Sequence, residues 1–303
     1  MKSTLAIMVA LLAASMAMAQ TNTGKTPAPT QGTQSGAAAP APAGPHQPQA
    51  KSKAEFDAYN LAASKTDPAQ MEAAAEEFAQ KFPNSELKEL LYVRAMNLYQ
   101  QQNNAAKVVT MGRKAIETNP TDPIPLVTVA SALVMDTQAN DLDRDSRVAE
   151  ATKDALAALD NIDTGLQVPP SVPPESVAKG KANLRSIAYD TLGVIAMNKK
   201  DYAAAEQNFQ KAADLMKDQP DAVVYLRLSV VQDNEKKYPE ALDSANKAVQ
   251  YAQEGSEEKD KAKQQQARIQ KLLAEKSTST AAPAPTAPAP ATPATPPTST
   301  TPH

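Results

Sequence analysis

Asp201, Tyr202, Ala203, Ala204 and Ala205 return 36 residues later as Lys237, Tyr238, Pro239, Glu240 and Ala241. The flanking residues return in the same register: Tyr189 maps to Tyr225, Leu192 to Leu228, Gly193 to Ser229 and Ala212 to Ala248. A fixed period of this length, in segments with helical spacing, marks stacked helical hairpins whose open faces are buried against one another. Such an array points to a binding surface rather than to an active site.

Outward from this repeat, the rest of the chain divides by composition. Residues 20–50 and 277–303 are almost wholly Ala, Pro, Thr, Gln, Gly and Ser and hold 14 of the 25 prolines. They offer little apolar area against the entropy of ordering, so disordered arms are expected there. Residues 1–19 read as an export signal: Lys2, an apolar stretch from Leu5 to Ala14, and Ala17, Met18, Ala19 as a small-x-small cleavage site. Cleavage and retention as an anchor both remain open. The foldable part is 51–276.

That part carries all 34 acidic residues and 29 of the 31 basic ones, a formal charge of −5. A mildly acidic body without a Lys/Arg run argues against nucleic acid, whose phosphates call for a basic face. Cysteine is absent, and the two histidines, His46 and His303, lie in the arms. Thiolate chemistry, Cys-ligated zinc and a folded histidine base are thereby excluded, and no catalytic residue, metal site or cofactor is expected.

Helical spacing and punctuation place five hairpins, at 54–82, 85–118, 123–159, 175–217 and 221–253. Asp67 and Pro68, Asn119 and Pro120, and the run at Pro123 supply stops and starts. An excursion at 160–174, with Gly165, Pro169, Pro170, Pro173 and Pro174, interrupts the array. A last, highly charged helix to residue 276 is expected to cap the stack, since a solenoid needs a polar outer face on its terminal element. The expected fold is all-α: a right-handed α-solenoid of about five hairpins with a C-terminal capping helix.

At these residues the chain resembles the tetratricopeptide repeat family, whose unit of about 34 residues carries small and aromatic residues at set places. The fourth hairpin supplies Tyr189, Leu192, Gly193, Ala196, Ala205, Phe209 and Ala212; the fifth supplies Tyr225, Leu228, Ser229, Gln232, Ala241, Ala245 and Ala248. In the second hairpin Met96 stands where a small residue is usual, and Gly112 where an aromatic is usual. The run 73–85, ending Phe82, Pro83 and Asn84, is similar to repeats of envelope-assembly proteins. The resemblance implies a concave peptide-binding groove lined from the first helix of each hairpin by Val93, Asn97, Val127, Ser131, Val134, Ile187, Asp190, Val194, Val223, Leu226 and Val230. The Lys, Asn and Arg clamp of chaperone-binding members is missing. Such an apolar groove takes an apolar helix or extended peptide, or is filled by the last helix or by the excursion.

Two acidic patterns have plain readings. Asp141, Asp143 and Asp145 alternate like the start of a calcium loop, but Ser146 and Thr152 stand where it needs Gly and Glu, leaving a solvated turn with Asp145 or Ser146 as helix cap. Glu76 with Glu77, and Glu257 with Glu258, point to different sides of a helix and read as solvated faces. The function expected is therefore an exported, periplasmic or secreted bacterial interaction module or scaffold that binds a protein or peptide of the cell envelope. The alternatives are a self-assembling envelope scaffold and, from a different class, an enzyme accessory subunit or carboxylate-only hydrolase.

Overall fold

The computed structural model describes residues 47–138, 140–169 and 171–280, the side chains of 277–280 excepted. The expected signal segment 1–19, residues 20–46 of the first arm and the tail from 281 lie outside the described residues. Eleven helices and no strands are found among those described.

The first pair is α1 (Lys53–Ala63) with α2 (Pro68–Lys81), and the second is α3 (Leu87–Gln101) with α4 (Ala105–Thr118). The third is α5 (Pro123–Asp136) with α6 (Arg144–Asn161), and the fourth is α7 (Pro174–Asn198) with α8 (Tyr202–Leu215). The fifth pair is α9 (Ala222–Asn234) with α10 (Tyr238–Tyr251), after which α11 (Glu257–Thr280) closes the stack against both of them. The all-α solenoid of five hairpins and a closing helix is what the repeat implied.

Helix starts follow from local chemistry. Ser52, Asp67, Asn104, Asp122, Asp201 and Asp221 each accept a backbone N–H of the first turn, satisfying donors that the helix itself cannot. Pro68, Pro123 and Pro174 sit at the first helical position, where a missing N–H costs nothing. The turns inside three pairs are congruent. Asn103, Lys200 and Lys236 take left-handed φ values of 56°, 62° and 60°, and the next residue's N–H reaches back to Tyr99, Ala196 and Gln232 at 3.0, 2.9 and 2.9 Å. Among the described residues, the third pair shows no such turn. There Asp141 accepts the Gln138 N–H, Arg147 bridges to Asp136 at 2.7 Å, and α6 starts at Arg144 with Asp143 at its cap position, two or three residues before the expected cap. Asp145 is fully exposed, so the alternating aspartates do not converge.

Between helices, contacts depend on matched volumes. A Cβ on Gly193 would lie 2.5 Å from the Phe209 ring, and one on Gly112 would lie 2.2 Å from Val129 Cγ2 and 3.1 Å from Met96 Sδ. The two departures in the second pair are thus an exchange: the bulk sits on the first helix and the small residue on the second. At the far end, Ile269 and Ala262 of α11 are buried, and Gln265 and Arg268 bond Asp233 at 3.1 and 2.8 Å. The rest of that helix is mostly charged and exposed, as a terminal element requires.

Candidate binding groove

The residues expected to line the groove fall into two sets. Val93, Val127 and Val134 are only 2, 1 and 6% exposed and belong to the core. Val93 and Val127 share one apolar cluster with Ile162 and Leu166 of the excursion and with Leu184 and Ala188 of α7, with Val168 packed against it. In the N-terminal half, the first helices are thus part of one core with the excursion and α7. Asn97 and Ser131 are half-buried.

Ile187, Asp190 and Val194 of α7 and Val223, Leu226 and Val230 of α9 remain half-buried. α7 presents the first three at helical spacing and α9 the second three, so two adjacent first helices offer matched apolar rows. Arg227 of α9 donates through Nη1 to Asp190 Oδ2 of α7, tying the rows together. Burial pushes the Asp190 carboxyl up and the Arg227 charge opposes that shift. Among the described residues, Asp190 Oδ1 is buried without a partner, so the site holds one unsatisfied acceptor.

Three repeated pairs escaped the sequence reading although their spacing was visible. Lys114 lies over Tyr92, Lys211 over Tyr189 and Lys247 over Tyr225, at 5.7, 5.1 and 5.7 Å from the ring centres, and each pair spans 22 residues. Each such contact contributes about 0.5–1 kcal/mol at exposed sites. The second helices are also laced together: Lys107 bonds Glu72, Lys114 bonds Glu76, and Arg113 bonds Glu150. Glu76 is therefore a cross-helix partner rather than part of a purely solvated face.

A second feature had no sequence signal. Glu89 of α3 and Asp122 at the cap of α5 are both buried and hydrogen-bonded to each other. Burial pushes Glu89 up to about 9, helped by the bond to Asp122 and by its charge. Asn119 Nδ2 donates to both Glu89 oxygens at 3.1 Å, and Gln167 Nε2 of the excursion approaches one at 3.5 Å. Glu89, but not Asp122, lines a cavity of ≈ 510 Å³ whose wall also includes Pro48, Asn84, Thr121, Gly165 and Gln167. Among the described residues, no group of three or more Asp, Glu, His or Cys side chains is placed to hold a metal ion.

No family model matches the chain, and no curated protein matches it. Solved structures do resemble it. One, described as the functional characterization of Pseudomonas aeruginosa pilF, is 15% identical, with a TM-score of 0.48 over 75% of this chain and 88% of that one. Another, the thermophilic TPR protein TTC0263 of Thermus thermophilus, is also 15% identical, with a TM-score of 0.40 over 73% of this chain and 99% of that one. A third, described as the assembly chaperone of RpL4, is 10% identical, with a TM-score of 0.38 over 75% of this chain and 99% of that one. At these scores the likeness says nothing of partners.

Proposed function

We propose that the chain is an exported protein-interaction module that takes an apolar helix or extended peptide of another cell-envelope protein, and that it catalyses no reaction. The observation that carries this reading is a strip of six half-buried residues on α7 and α9, five of them aliphatic, around the Asp190–Arg227 pair; Ile187 and Val194 also pack against the apolar clusters, and Val223, Leu226 and Val230 extend the strip along α9. Folded monomers seldom leave such a strip uncovered, and rows at i, i+3 and i+7 suit an amphipathic helix laid along them. Export rests on the signal pattern of residues 1–19. No described helix is long and apolar enough to cross a membrane.

The test is capture of proteins from the cell's own envelope extract by the mature chain, beside a variant carrying Val194→Glu and Leu226→Glu. A protein retained by the wild type and lost by the variant supports the reading. Equal capture by both overturns it, and turnover of a substrate by the purified protein would overturn its non-catalytic part.

A further inference from the structure

Four stretches far apart in the sequence meet at the edge of the stack where α3 begins and α4 and α6 end. They are the segment before α1 at Pro48, the turn from Pro83 into α3, the end of α4 with the residues leading to Thr121, and a strap at 164–168 between α6 and α7. Gly165 of the strap runs so close to Thr121 that a Cβ there would lie 2.0 Å from its carbonyl oxygen, and Gln47 donates to the Val168 carbonyl at 3.2 Å. Between them these stretches form the cavity of ≈ 510 Å³ that Glu89 lines. Small-molecule sites commonly measure about 300–1,000 Å³.

The wall carries an anion that the chain itself does not answer. Glu89 is 2% exposed, and its partners are Asp122, the Asn119 amide at 3.1 Å and, more distantly, the Gln167 amide at 3.5 Å. Two carboxyl groups in contact share one proton, which leaves a single negative charge on the pair. Among the described residues, no Lys or Arg pairs with either member. The two lysines of this edge are turned to backbone carbonyls instead, Lys88 Nζ to Pro83 at 2.5 Å and Lys51 Nζ to Asn84 at 2.8 Å. The charged groups on the wall are Glu86, Glu89 and Glu117 against Lys88, so the field in the cavity favours a cation. Buried charges are ordinarily paired, and a carboxylate that faces a cavity without a cation of its own is suited to receive one.

We propose that this cavity binds a guanidinium group, the side chain of an arginine on a peptide partner, with Glu89 as its anion. A guanidinium suits the site better than an ammonium for two reasons. Its planar fork presents parallel N–H donors to both carboxylate oxygens, each of which keeps a lone pair after accepting from Asn119. It is also more weakly hydrated, so entering the cavity costs less. The cavity wall shares no residue with the strip on α7 and α9. The choice of a peptide's arginine over a free guanidino compound rests on the protein-interaction reading above; the guanidinium site itself does not.

Calorimetric titration of the whole chain with Nα-acetylarginine amide tests this, beside Nα-acetylcitrulline amide, which keeps the shape and lacks the charge. Saturable binding of the arginine compound is expected, tighter than that of the citrulline compound by roughly tenfold or more. Glu89→Gln should weaken it by roughly 10- to 100-fold, and Glu117→Gln, at an exposed place on the wall, by about two- to fivefold. Gln167→Arg supplies the missing guanidinium from the strap, so it should raise Tm and abolish the binding, and a loss that accompanies a gain in stability does not come from misfolding. Absence of saturable binding, equal binding of the citrulline compound, or a Gln167→Arg chain that binds as the wild type does overturns the site. Butylguanidinium bound as tightly as acetylarginine amide overturns the peptide source alone. Binding of acetylarginine amide while envelope capture fails leaves the guanidinium site standing and removes only the groove reading.

Discussion

Gly193 and Phe209 occupy the same two places in the fourth pair that Met96 and Gly112 occupy in the second, 16 residues apart in each case. What the stack requires at that crossing is a summed volume, and either helix can provide the bulk. Gly193→Ala is accordingly expected to lower stability by about 1–3 kcal/mol in thermal unfolding. Adding Phe209→Leu should recover part of that loss, so the two changes are not additive. The fourth and fifth pairs were legible because identities repeat at a constant offset of 36, whereas the second keeps only the sum, which residue-by-residue matching registers as two departures. The left-handed turn residues give a second test. Lys236 at φ 60° strains a position that glycine adopts freely, and Lys236→Gly should raise stability by about 0.5–1 kcal/mol.

The strap between α6 and α7 shows what was and was not legible among the elements. Its glycine and prolines announced that no helix could continue, and none is found among the described residues of 162–173. The surface it meets could not be read, because its partners Glu89 and Thr121 lie some 40 to 80 residues away and carry no local pattern. Gly165→Ala tests the contact directly. With a Cβ forced against the Thr121 carbonyl, the strap should undock and become a site of limited proteolysis, while circular dichroism retains the helical signal. The buried Glu89 was hidden for a related reason. On a helix otherwise rich in apolar residues it reads as an ordinary solvent-facing acid until Asp122 and Gln167 are brought to it by the fold.

At the scale of the molecule, the repeat determined a stack of five helical pairs and a closing helix, while the burial of equivalent positions differs between its two halves. Equivalent repeat positions were expected to share one environment; they do so in the C-terminal half, where Val194, Leu226 and Val230 are half-buried, and not in the N-terminal half, where Val93 and Val127 are core. The measurement that bears most directly on this division sets two charge insertions side by side, reading thermal unfolding and envelope capture for each. Leu226→Glu is expected to keep the folded stack and lose the captured partner. Val127→Glu places a charge in the core, and should cost several kcal/mol and unfold the N-terminal half. If Leu226→Glu unfolds the chain as Val127→Glu does, or retains the partner as the wild type does, the open half is not the binding face and the account fails.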